Sequence, residues 1–205
     1  MSTLQLASPI IEAAESRHSI RRYTDERVTD EQLHTLLAAA GRAPSAFNLQ
    51  PWRWVAVRDP EVKARLQAAA NGQRQVGAAP VLLVLYTDMA DALDNIEETF
   101  ADTLPAEKAE GTRTYLLDSF GRQGDEERET WGAGQSYIAL GYLLLVAESL
   151  GLGTSPMLGF DPGQVKEILG LPAYARIPAL IAVGHPAEEG FDSPRHAVSR
   201  VLTEV

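Results

Sequence analysis

A single domain of mixed helices and strands is the fold class this chain predicts, and three observations predict it. The apolar runs Val81–Tyr86 and Pro178–Val183 are uninterrupted and bounded by turn residues, the pattern of strands buried on both faces. Trp52–Val57 alternates large and polar residues with β-branched ends and reads as a third strand. Between these runs lie amphipathic helical patterns with their own start signals. The 205 residues, 45% hydrophobic and 22% charged, suit one folded domain or one protomer of an intertwined oligomer.

The chain opens with Ser8-Pro9 ahead of Ile10, Ile11, Ala13 and Ala14, a short helix predicted to end near Ser16. Thr29-Asp30-Glu31-Gln32 is a capping box, because a threonine hydroxyl can accept from the backbone three residues on while Gln32 reaches back. Leu33, Leu36, Leu37 and Ala40 form the apolar face that follows, and Gly41 marks its stop. Asp59-Pro60 starts a helix carrying Val62, Leu66 and Ala69; Val81–Tyr86 is then the central strand.

Residues 89–128 scatter Leu93, Ile96, Phe100, Tyr115, Leu116, Leu117 and Phe120 among acids, with Pro105 and Gly111 breaking the run. They predict a mobile, partly exposed helical excursion, either a lid or a solvated acidic pair that covers the sheet. From Thr130 to Leu150 the pattern is a long helix, apolar nearly all round, ended by Gly151 and buried in a core or between subunits. Asp161-Pro162 starts another helix, which stops at Gly170-Leu171-Pro172. In the polar tail beyond Gly184, the alternation of Ala197–Leu202 predicts an added edge strand, on this chain or on a partner. No repeat or linker composition divides residues 1–205.

Composition removes several function classes. With no cysteine there is no disulfide scaffold, thiolate metal site or cysteine nucleophile, so redox chemistry requires a borrowed cofactor. The net charge of −10 argues against nucleic acid, whose phosphates the average field would repel. That charge is uneven: residues 1–87 carry 10 basic and 8 acidic side chains, residues 88–128 carry 4 and 12, and residues 129–205 carry 4 and 8. The N-terminal part is therefore the place for an anion. No leader pattern or membrane-spanning run is present, which makes the cytoplasm the expected compartment. Histidines 18, 34, 185 and 196 lack metal-ligand spacing, no G-x-S-x-G elbow occurs, and no Walker or dinucleotide glycine motif is found. No metal is expected.

Two clusters remain that can carry chemistry. Arg17-His18-Ser19-Ile20-Arg21-Arg22 concentrates guanidiniums and a hydroxyl, and in an extended segment Arg17, Ser19 and Arg21 project to one side, where they can converge on a phosphate. Alone, the same residues also suit a solvated basic turn between helices. Asn48 and Gln50 offer both donors and acceptors, as the edge of a flavin ring requires, yet Pro44-Ser45 and Asn48 equally suit a turn leading into the Trp52 strand.

The order and spacing of these pieces resembles the FMN-dependent nitroreductase family: R-H-S-I-R at 17–21, A-P-S-x-x-N-x-Q-P-W-R at 43–53, Asn71 before a buried strand, a long apolar helix, G-L-G-T-S-P-M-L-G-F-D at 151–161, and Pro194-Arg195. The resemblance spans residues 10–202. It implies an α+β fold with a central, mostly antiparallel sheet flanked by helices, in an intertwined homodimer holding two FMN molecules at the subunit interface. On that basis Arg17, His18, Ser19, Arg21 and Arg195 hold the phosphate and ribityl chain. Pro44, Ser45 and Asn48 reach the site from the other subunit, with Gln50 beside them, and Asn71 and Arg74 meet the ring's polar edge. Backbone at Pro156, Met157, Leu158 and Gly159 faces the reactive side of the flavin. Leu158 replaces a commoner Gly or Glu, and Ser193 stands where many relatives carry lysine, which shifts charge onto Arg195.

The activity implied by the resemblance is hydride transfer from NAD(P)H through the flavin to nitroaromatic, quinone or related electron-poor acceptors. Phe100, Tyr115 and Phe120 are the candidate lid residues, and no side-chain acid or base is required. Relatives that dehalogenate, cleave flavin or oxidise rings, and a flavin-binding protein without turnover, are the alternatives.

Overall fold

A computed structural model of the chain describes residues 8–205. Helix α1 (Pro9–Ser16) is followed by an extended arm and then by α2 (Asp30–Ala40), whose capping box closes in both directions: the Thr29 hydroxyl accepts from Gln32 N at 3.0 Å and Gln32 Oε1 accepts from Thr29 N at 2.8 Å. α2 ends at Gly41, in right-handed geometry. Strand β1 (Trp52–Val57) leads to α3 (Pro60–Ala69), where the Asp59 carboxylate accepts from Glu61 N and Val62 N. The short α4 (Arg74–Ala78) precedes β2 (Val81–Thr87). Then come α5 (Met89–Asp94), α6 (Ala106–Gly121), α7 (Asp125–Ser149), β3 (Gly153–Met157), α8 (Pro162–Leu169), β4 (Ala179–Gly184) and α9 (Val198–Val201).

Among the described residues four strands form one sheet in the order β1-β2-β4-β3, and every neighbouring pair is antiparallel. Trp52 sits opposite Thr87, Val81 opposite Val183, and Gly153 opposite Gly184. Side-chain alternation sends Val81, Leu83, Leu85, Ile181 and Val183 to one face, where Leu36, Ala40, Leu140, Leu143 and Ala147 of α2 and α7 cover them. Leu82, Val84, Leu180 and Ala182 go to the other face, under Leu66, Val76 and Val165 of α3, α4 and α8. Strands covered on both sides must be apolar throughout, which is why β2 and β4 were legible as unbroken runs.

Several expectations change. α7 begins at Asp125 rather than Thr130, since Asp125, Glu126 and Glu127 suit the positive end of a helix dipole. Its inner face is buried, while Tyr137, Ile138 and Tyr142 stay exposed on this chain. Pro105 precedes α6 instead of interrupting a helix, and Gly111 lies within α6, held by Leu116 and Phe120 further along. Those two join Leu49, Met89, Leu93 and Ile96 in a third apolar cluster, so residues 89–128 have a core of their own. β3 was not anticipated, because Gly-Thr-Ser-Pro-Met carries little strand signal. Pro156 is accommodated there on an outer strand. The edge strand expected at Ala197–Leu202 is a single exposed helical turn. No helix among the described residues is long and apolar enough to cross a membrane.

Glu129 ties α7 to this framework. Its buried carboxyl accepts from Met89 N at 2.9 Å, and its Oε2 has no partner among the described residues. Burial therefore raises its pKa above the ordinary glutamate value, against the lowering effect of its bonds to Thr87 and Met89. The folded protein then binds this proton more tightly than the unfolded chain does. As pH rises from the ordinary glutamate range through the raised value, this contribution to stability is lost. Denaturant titrations between pH 4 and about 7.5 are expected to show wild-type stability falling relative to Glu129→Gln as pH increases. A constant difference would contradict the assignment.

Candidate functional site

The outer edge of β3 organises the candidate site. An edge strand presents unpaired backbone groups, and here they are met by the arm that follows α1. Ser19 forms a parallel bridge with Thr154, and Ile20 N donates to Thr154 O at 2.9 Å. Ile20 is the buried plug of the arm. It packs so closely that a Cβ added to Gly153 would lie 2.9 Å from the Ile20 Cβ. Ser16, His18 and Ile20 line a cleft of about 260 Å³ together with Glu148, Glu188 and Glu189. Extended backbone alternates its side chains, so Arg17, Ser19 and Arg21 share the opposite side. His18, grouped with them in the sequence, faces away; its Nδ1 lies 2.5 Å from the Ser16 carbonyl oxygen.

The far end of β3 meets a run of amides. Asn71 Nδ2 and Gln73 Nε2 both donate to the Gly159 carbonyl, at 3.0 and 2.8 Å. Buried Gln75 approaches Met157 Sδ at 3.2 Å and Gln73 Oε1 at 3.3 Å. Residues 71–75 and 157–159 thus form one unit, with Leu158 69% exposed between them and Pro156 half-buried before it. Arg74 is exposed at the start of α4.

The Pro44–Gln50 loop stands apart. Ser45 Oγ accepts from Gln50 N at 3.0 Å, Ala46 N donates to Gln135 Oε1, Asn48 Nδ2 donates to Thr99 O at 2.9 Å, and Gln50 Nε2 returns to Asn48. None of these bonds reaches the arm, β3 or the 71–75 segment; Pro44 is exposed at the head of the loop. Among the described residues four non-glycine residues adopt positive φ, Phe47 (56°), Asn48 (56°), Gln50 (45°) and Asn71 (55°), and three of them, Asn48, Gln50 and Asn71, are also singled out by the sequence. Such backbone costs free energy and persists where surrounding structure holds it, frequently at binding sites.

The candidate lid residues part company. Tyr115 is exposed and lies 6.1 Å from the Phe47 ring, making an aromatic pair beside Asn48. Phe100 is half-buried against the third cluster. Phe120 is not a surface residue: it is buried edge-on to Trp131 at 5.0 Å, because the acidic excursion needs an apolar anchor.

Charge pairing separates the arginines. Arg22, Arg27, Arg53, Arg58, Arg113, Arg122, Arg128 and Arg176 are each bridged to a carboxylate. Among the described residues Arg17, Arg21, Arg74 and Arg195 have no such partner, nor do Arg42, Arg65 and Arg200. In a chain of net charge −10, guanidiniums without a carboxylate partner beside the Ser19 hydroxyl are donors of the kind an anion requires. Arg195 bonds only to Ser193 O and Pro194 O on its own tail. Gln73, Gln75 and Phe47 were missed. Phe47 lies inside the 43–53 motif and Gln73 between the two named residues Asn71 and Arg74, while Gln75 carries no sequence signal.

Comparisons with known proteins bear on the family and the fold. The sequence model of the nitroreductase family matches residues 14–185. A protein of Thermus thermophilus named NADH dehydrogenase is 50% identical over 97% of this chain and 98% of its own length. An FMN reductase [NAD(P)H] of Bacillus subtilis is 33% identical over 91% of this chain and 69% of its own. A crystal structure from Exiguobacterium sibiricum, described as a nitroreductase in complex with FMN, superimposes with a TM-score of 0.87 at 26% identity, covering 99% of this chain and 100% of that one.

The tight contact between Gly153 and Ile20 can be tested directly. Gly153→Ala is expected to lower stability by about 1–3 kcal/mol in urea titration, as overpacking pushes the arm off β3. A change near zero would mean that the arm is not seated there.

Proposed function

Because the chain belongs to the nitroreductase family, we propose that it is an FMN-dependent oxidoreductase carrying hydride from NAD(P)H to nitroaromatic, quinone or related electron-poor acceptors. The observation that carries this reading is the pair of unpaired guanidiniums, Arg17 and Arg21, on an arm bonded to the same strand whose far end bears Asn71, Gln73 and Gly159. A dianion and an amide-edged ring on one molecule fit that donor set.

FMN, when bound, would supply the hydride chemistry. The chain's own residues bind and orient it. Arg17, Ser19 and Arg21 hold the phosphate, with Arg195 joining from the tail and His18 contributing through its backbone. Asn71, already oriented by Gly159, presents its remaining amide capacity to the ring edge, and Arg74 adds positive charge there. Leu158 forms an exposed apolar wall against which acceptors lie, and Tyr115 with Phe47 offers a second aromatic surface.

The Pro44–Gln50 loop completes the site of a second copy of the chain, which accounts for its separation from β3. Tyr137, Ile138 and Tyr142 on α7, with Ile10 and Ile11 on α1, are exposed apolar residues of the face that the second copy covers.

Purified protein mixed with FMN should become yellow and bleach on anaerobic addition of NADH or NADPH, then regain colour with a nitroaromatic or quinone. Bound FMN that resists reduction would support a binding protein without turnover. Arg17→Ala and Arg21→Ala should each weaken FMN about tenfold or more, read by fluorescence titration. Sedimentation should give twice the 22.3 kDa chain mass. Ile138→Asp/Tyr142→Asp should sediment as a monomer and fail to bind FMN; a variant that stays dimeric would rule out this face.

A further inference from the structure

Resting on the FMN assignment above, we propose that Glu188 is a positioning residue for the phosphate cradle: it draws off Arg22 and the Arg21 backbone and leaves the Arg21 guanidinium for the cofactor phosphate. Beyond β4 the chain turns back along the arm as a strap. Thr24 N donates to His185 O at 2.9 Å, Tyr23 bridges Pro186, and Ala187 N donates to Arg22 O at 3.0 Å. The next side chain, Glu188, reaches across to the arm. Its Oε1 accepts from Arg21 N at 2.7 Å and its Oε2 from Arg22 Nε at 2.9 Å.

This carboxylate is well shielded, its side chain 15% exposed against 75% for Arg22. The Arg21 N–H, together with the Arg22 guanidinium, holds it below the ordinary glutamate range, so it is ionised at neutral pH. Two residues later Gly190 passes the arm at φ 80°, where a Cβ would fall 2.7 Å from the His18 Cβ. Phe191 then brings its ring to 5.7 Å from the Arg21 Cζ. A ring face steadies a guanidinium without neutralising it. Tyr23 completes the frame by donating its hydroxyl to Ile20 O at 2.5 Å.

The consequence is a division of charge between neighbours. Arg22 is neutralised on one side of the arm, and Arg21, fixed by its backbone and by Phe191, keeps an unpaired charge on the other. Without Glu188 the Arg21 N–H loses its acceptor and Arg22 its carboxylate, while the backbone bonds at Thr24 and Ala187 still hold the strap to the arm.

The test compares FMN with riboflavin, which lacks the phosphate, by fluorescence titration of flavin-stripped protein at fixed salt. Wild type should prefer FMN. Glu188→Ala should lose about tenfold of that preference with riboflavin affinity unchanged. Glu188→Gln, which keeps an oxygen for Arg21 N but no charge for Arg22, should fall between the two. It carries the test should the alanine variant fail to fold. An unchanged FMN-to-riboflavin ratio in these variants, or equal loss of both ligands, would overturn the role of Glu188. Wild type that binds neither flavin would overturn the FMN assignment itself.

Discussion

A sheet edge has to be satisfied, and in this fold the outer edge of β3 is satisfied by the arm at residues 19 and 20. The rest of the site depends on that pairing. It converts a basic stretch that would otherwise be a solvated turn into extended backbone with a defined register. Register, in turn, sends Arg17, Ser19 and Arg21 one way and His18 and Ile20 the other. The Ile20 plug, seated against Gly153, connects the cradle to the apolar core.

The same strand carries the other half of the donor set at its far end, where the Gly159 carbonyl gathers Asn71 and Gln73. One strand therefore sets the spacing between guanidiniums and amides, and apolar clusters pack both faces of the sheet to which it belongs. Charge completes the arrangement. A strongly acidic protein pairs many of its arginines with carboxylates; on the arm Glu188 is directed to Arg22, while Arg17 and Arg21 have no carboxylate partner among the described residues.

Much of this was legible in the sequence where the signal is local. Thr29, Asp59 and Asp161 act as caps because each accepts hydrogen bonds within its own first turn. β2 and β4 were legible because burial on both faces admits only apolar residues. The order of motifs identified the family and hence the antiparallel sheet. β3 was invisible, since small and polar residues form a strand there only because β4 and the arm supply partners on both sides. Phe120 was misplaced for a related reason: an aromatic among acids looks exposed until the third cluster of Leu49, Met89 and Leu116 is assembled around it. Glu188 could not be read at all, because its partners lie 166 and 167 positions away.

The central claim is that the arm and β3 of one protomer form a single site with the Pro44–Gln50 loop of another. Flavin content of mixed dimers tests it most directly. One chain would carry Arg17→Ala/Arg21→Ala and the other Ser45→Ala/Asn48→Ala, with separate tags so that the heterodimer can be isolated. Each parent homodimer should be depleted of FMN, while the heterodimer, holding one intact site, should recover about half the wild-type content. A heterodimer as depleted as its parents would show that both halves come from the same protomer.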